Sequence, residues 1–192
     1  MKAGVRALGV AESYRAERST LAGAVVRADR VVDDFVFDTC TVGGTDATDV
    51  ISTLFERLDR PDVRYILVAG IAPAWFNIVD LHAIADATDR PALAVSFEDS
   101  DGLTDSIRDA FDGRAASRRL ATYHAQPDRR SVSIDGESVY VRSVGIADDE
   151  AADVVRGFTP EGGRPEPLRV ARSAARAADQ FRRQWGDSPV GQ

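Results

Sequence analysis

One cysteine, Cys40, leaves no partner for an internal disulfide and no Cys-rich metal motif. It follows a strand-like run and is read as a small buried hydrophobe. Only two histidines are present, His82 and His124, both on predicted helices. They are read as surface or packing residues and not as a metal pair. Ser13 has no evident His/Asp partners, which argues against a serine nucleophile. Lysine is nearly missing: of 24 basic residues only Lys2 is lysine, and 23 are arginine. No apolar run approaches the roughly 18 residues that span a bilayer. Met1 to Arg6 enters a strand-like run directly, without the apolar core of a secretory signal. No membrane partner is expected, and the expected location is cytoplasmic. Internal repeats and low-complexity segments are also lacking.

What remains is a chain of 192 residues, 44% hydrophobic and 29% charged. That composition suits one globular domain over 1–192 with a real core. The net charge is −7. Acidic excess with almost no lysine is expected of a salt-adapted, GC-rich haloarchaeal genome. It speaks to solubility and argues against broad nucleic-acid affinity, which needs clustered cations. The charge is uneven. Residues 164–192 hold six arginines against Glu166, Asp179 and Asp187. This basic tail either contacts a partner's phosphates or pairs with the acidic body.

Periodicity orders the elements. Val5–Ala11, Thr20–Ala28 and Val31–Phe37 read as three adjacent strands, an antiparallel meander. Thr45 or Asp46 can cap a helix with Val50, Ile51, Leu54, Phe55 and Leu58 inward. Tyr65–Val68 and Pro91–Phe97 are apolar runs suited to strands buried on both faces. Asn77–Thr88 reads as the helix between them. Leu103, Ile107, Ala110 and Phe111 repeat at helical spacing, and Arg114–His124 is a further helix. Ser131–Ile134 and Val139–Val144 flank Asp135-Gly136, a hairpin turn. Ala151, Val154, Val155 and Phe158 form one helix face.

In the last helix, spanning 164–186, Leu168, Ala171, Ala175, Ala178 and Trp185 share a side. Arg169, Arg172, Arg176 and Arg183 lie within about 60° on another. The tail at 187–192 is expected to fray. Three strands followed by alternating helices and strands give an α/β class with parallel later strands.

Several strings carry a resemblance. Ser143-Val144-Gly145-Ile146, a short amphipathic helix, and then Arg164-Pro165-Glu166-Pro167-Leu168-Arg169 resemble the C-terminal part of endonuclease V. Gly9-Val10-Ala11-Glu12-Ser13-Tyr14 resembles its first-strand motif. Thr41-Val42-Gly43-Gly44-Thr45-Asp46-Ala47-Thr48-Asp49 and Trp75-Phe76-Asn77-Ile78-Val79-Asp80 resemble a small archaeal family of unknown function related to it. The resemblance implies a ribonuclease H-like mixed sheet with helices on both faces.

It also implies where chemistry should sit. Glu12 takes the place of a metal-binding aspartate. Ala69-Gly70 stands where the family has Asp-Gly, so a second ligand is absent. Ser96-Phe97-Glu98 lacks the family's lysine, Ile146 replaces its histidine, and its base-separating wedge has no counterpart near Asp38–Gly44. Ligands in such sheets bind at the C-terminal strand ends.

Two readings of that edge follow. In one, the protein binds DNA or RNA with a degraded metal site, through Gly44, Trp75, Arg169, Arg172 and Arg176. The Gly43-Gly44 amides would hold a phosphate and Trp75-Phe76 would stack on a base; a tight turn and helix-to-sheet packing are the structural alternatives. In the other, Glu12, Asp46 and Glu98 form a rebuilt Mg²⁺ or Mn²⁺ site, with Glu12 and Glu98 on strands on the order of 10 Å apart. A protein-interaction module retaining only the fold is a third class. Oligomeric state is not legible.

Overall fold

The computed structural model describes residues 1–15 and 17–185, Trp185 by its backbone only. The tail expected to fray, and the apolar-side placement of the Trp185 side chain, lie outside the described residues. A seven-stranded sheet runs in the order β3-β2-β1-β4-β5-β7-β6. The opening meander is β1 (Arg6–Ser13), β2 (Arg18–Arg27) and β3 (Val32–Thr41). Next come α1 (Ala47–Leu58), β4 (Val63–Ala69), a short turn α2 (Pro73–Phe76), α3 (Leu81–Thr88) and β5 (Ala92–Ser96). The second half holds α4 (Thr104–Ala110), α5 (Gly113–Ala125), β6 (Arg130–Ile134), β7 (Glu137–Val144), α6 (Asp148–Gly157) and α7 (Glu166–Trp185).

β1 pairs antiparallel with β2 and parallel with β4, and β4 pairs parallel with β5. This is the expected mixed α/β sheet. Its middle strands are buried on both faces, so they read as continuous apolar runs. The Asp135-Gly136 turn joins β6 to β7 with φ of +50° and +86°, the two left-handed residues of a tight hairpin. Among the described residues no helix is long and apolar enough to cross a membrane.

Two packed layers cover the sheet. On one face Leu8, Val10, Ile66 and Val68 meet Ile51, Leu54 and Ile84 of α1 and α3. On the other, Leu67, Leu93 and Val95 meet Val155, Phe158 and Leu168 of α6 and α7. The start of α7 lies directly on β1. A Cβ on Gly9 would fall 2.3 Å from the Pro167 carbonyl, so only glycine fits beneath the helix.

Two boundaries differ by four residues from the sequence expectation. β3 continues past Phe37 to Thr41. The edge-strand amides of Phe35, Thr39 and Thr41 are bonded by the side chains of Asp34, Asp38 and Asp46 in place of a further strand. The helix expected from Asn77 starts only at Leu81. Asp80 caps it, accepting from the His82 and Ala83 amides at 3.0 and 3.3 Å. Asn77 is instead fully buried as a tertiary bridge. Its Oδ1 accepts from Ala47 N (3.0 Å), and its Nδ2 donates to Thr41 O (2.9 Å) and Asp46 Oδ1 (2.6 Å).

Candidate nucleic-acid interface

The C-terminal ends of β1, β4 and β5 meet α7 around a cleft of about 410 Å³. Strand alternation decides what faces it. Ala11 and Ala69 belong to the layer under α7, packed with Ala171, and give the cleft an apolar floor. Glu12, one residue on, directs its carboxylate away from α7. Its Oε2 accepts from Ser19 Oγ (2.5 Å) and from the Ala74 amide (2.9 Å). Glu12 and Glu98 both border the cleft.

Arg164, Arg172 and Arg176 line the remaining side. Arg164 lies over the Phe97 ring, 4.0 Å from its centroid. Burial lowers its pKa first, and repulsion from Arg172 and Arg176 lowers it further, against an opposing pull from Glu98. Arg164 therefore feels both of the other guanidiniums. Among the described residues none of them makes an ion pair, whereas Arg169 pairs with Glu166 (2.7 Å) and Arg183 with Asp179 (2.9 Å). All four arginines expected as a stripe on α7 are exposed. Its ends are neutralised within the helix, and Arg172 and Arg176 in its middle face the cleft. Sequence reading missed Arg164, although the Gly162-Gly163 loop ahead of the Pro-Glu-Pro opening was its signal.

Beyond Glu98 a neighbouring hollow of about 400 Å³ reaches Tyr123 and Arg142. Its arginines are engaged: Arg129 donates to the Glu98 and Ser100 carbonyls, and Arg142 to the Tyr123 hydroxyl.

On the opposite side of Glu12 stands the α2 turn. Ala74, Trp75 and Phe76 have φ of +47°, +54° and +58°. A left-handed conformation costs a non-glycine residue about 1–2 kcal/mol, so the turn persists only because its surroundings fix it. Glu12 holds the Ala74 amide, and the Ala74 carbonyl accepts from Gly43 N (2.7 Å). Arg119 donates to Phe76 O (3.1 Å), to Gly44 O (3.1 Å) and to Gly43 O. The Trp75 ring rests against Gly43, where a Cβ would come within 3.0 Å of it, and beside Phe111 at 5.1 Å between centroids. Half of Trp75 remains exposed, 50%. The Gly43 and Gly44 amides are engaged inside the chain, by Ala74 O and Thr41 O.

Asp46 lies apart from the cleft. Its carboxylate accepts from Thr41 N and Oγ1 and from Asn77 Nδ2. Burial would raise its pKa, but those bonds from Asn77 and Thr41 outweigh it and hold the group below the usual carboxylate range. Among the described residues no three His, Cys, Asp or Glu side chains are grouped to hold a metal ion. A divalent cation with oxygen ligands does not fit a floor of two methyl groups beneath three guanidiniums. Cys40 is fully buried, with its thiol pushed up to about 12 mainly by burial. His82 and His124 are exposed on helices.

Comparison with known proteins agrees with this frame. A family model described as endonuclease dU matches residues 3–179. A UPF0215 protein of Pyrobaculum calidifontis is 32% identical over 184 residues, covering 91% of this chain and 97% of that protein. A protein of unknown function from Archaeoglobus fulgidus superposes with a TM-score of 0.81 at 23% identity, covering 91% of this chain and 98% of that one. Ciona intestinalis endonuclease V, bound to a 24mer DNA containing an inosine followed by a ribo-adenosine, superposes at 0.63 and 12% identity, with coverages of 92% and 87%. At these identities the structural matches establish the fold, an endonuclease V-like, ribonuclease H-like sheet.

Proposed function

The chain belongs to the endonuclease dU family, and we propose that it binds nucleic acid at the β1/β4/β5 edge, holding a backbone phosphate with Arg164, Arg172 and Arg176 in place of a metal. One observation carries this: three guanidiniums, without ion pairs among the described residues, converge on one cleft floored by Ala11 and Ala69. Like charges held together are relieved by an anion. Guanidinium matches phosphate oxygens in geometry and forms charge-assisted hydrogen bonds to them. The family's description makes DNA carrying deoxyuridine the first ligand to offer, with inosine-containing DNA second. A cytoplasmic, salt-adapted protein suits both the composition and this partner.

The test is binding of labelled DNA across a salt series. Changing both Arg172 and Arg176 to Gln should weaken affinity at every salt and reduce the slope of log affinity against log salt by about 1, for the phosphate no longer neutralised. Unchanged affinity and slope would reject the phosphate site. Both Glu12 and Glu98 border the cleft, which favours a second reading as a metal-dependent nuclease using those two carboxylates. With Mg²⁺ or Mn²⁺ added, cleavage should be absent or very weak. Robust cleavage abolished by Glu12→Gln would establish that second reading instead.

A further inference from the structure

We infer that Trp75 stacks on an unpaired nucleobase of the strand whose phosphate lies in the arginine cleft, an inference that rests on the nucleic-acid reading above. Trp75 is held half outside, its ring open on one side and flanked by Gly43 and Phe111 on another. It is also held rigidly. Three successive left-handed residues are kept in place by bonds from Glu12, Gly43 and Arg119. An aromatic platform on a fixed mount binds a base with little loss of side-chain freedom. Glu12 joins the two features, bordering the cleft while its Oε2 accepts the Ala74 amide next to Trp75. In this inference a strand whose phosphate sits on Arg172 and Arg176 crosses the sheet edge past Glu12 to meet the indole. Every base offers a π face, so the contact is tolerant of sequence.

In this arrangement Glu12 is a positioning residue for the stacking platform. Glutamine retains one carbonyl oxygen that can accept from both Ser19 Oγ and Ala74 N. Glu12→Gln should therefore leave Trp75 in place, whereas Glu12→Ala should release it. A metal-ligand role for Glu12 would make no such distinction, because neither glutamine nor alanine supplies the carboxylate charge.

Trp185 is the other tryptophan of the chain, so Trp185→Phe leaves Trp75 as the sole indole reporter. That variant would be titrated with a single-stranded 12mer DNA and, separately, with polyphosphate of equal charge, at low ionic strength. Both polyanions should bind, and only the DNA should quench Trp75 emission. In the otherwise native chain Trp75→Ala should weaken DNA binding about fivefold or more and leave polyphosphate binding unchanged, with Trp75→Phe recovering most of the loss. Quenching should survive Glu12→Gln and fall in Glu12→Ala.

Equal quenching by polyphosphate, no quenching by DNA, or full DNA affinity in Trp75→Ala would each overturn the stacking role. The arginine reading would still stand if the Arg172→Gln, Arg176→Gln variant lost affinity. Failure of the native chain to bind DNA would remove both. If Trp75→Ala does not fold, judged by thermal unfolding, the quenching comparison decides alone.

Discussion

Arg119 carries a full charge to 6% exposure with no carboxylate among the described residues to meet it. Burial lowers its pKa, with a smaller push from Arg118. Backbone carbonyls of Gly43, Gly44, Phe76 and Ala115 compensate, as a buried charge requires. Asp46 plays the anionic counterpart a few residues away. Its folded pKa is depressed, so its contribution to stability is complete above its unfolded value and is lost as pH falls through the folded one. Asp46→Asn should cost about 1–2 kcal/mol near neutral pH and flatten the acid limb of stability against pH, read from urea unfolding at several pH values. An acid limb identical to the native chain's would show that Asp46 contributes nothing there.

The carboxylate of Glu12 was legible in the sequence, and so was the loss at Ala69. Which way Glu12 points was not, because one step of strand register reverses it and that register is set by pairing to Leu21 across the sheet.

Among the elements, α7 ties the molecule's ends and shapes its cleft. Asp179 on this helix is 2% exposed, pairs with Arg15 and Arg183, and reaches Thr20 at 3.5 Å. Asp179→Ala should lower the urea midpoint by the equivalent of about 2 kcal/mol. A loss under about 0.5 kcal/mol would mean that the apolar contacts of Leu168, Ala171 and Ala175 hold the helix unaided.

The strands and most helices were readable because burial fixes their pattern, as in β5, apolar from Ala92 to Val95. The start of α3 was not, since Asn77 gives up its local role to bridge Thr41, Asp46 and Ala47. The split of the arginine stripe was half readable. Glu166 and Asp179 lie three and four residues from Arg169 and Arg183, the spacing of helical ion pairs. The approach of Arg164 to Arg172 and Arg176 depends on where the preceding loop lands.

For the whole molecule, charge governs the conditions in which everything else can be measured. The net charge is −7 with a basic C-terminal region, so the rest of the chain is strongly acidic. At about 1 M salt the Debye length is about 3 Å, and self-repulsion over the surface largely vanishes. The melting temperature should rise by several degrees between dilute buffer and about 2 M KCl, by calorimetry. A flat or falling profile would contradict salt adaptation. The phosphate contact weakens over the same range, so binding belongs at the lowest salt where the chain remains folded.

The seating of Pro167 on Gly9 has a consequence for how the protein comes into being. β1 leaves the ribosome long before α7, the helix that roofs one of its faces, because the two lie far apart in the chain. At about 5–20 residues per second, the nascent strand spends on the order of ten seconds with Ala11 uncovered. During translation that apolar floor is open to whatever chaperone or neighbouring chain meets it first.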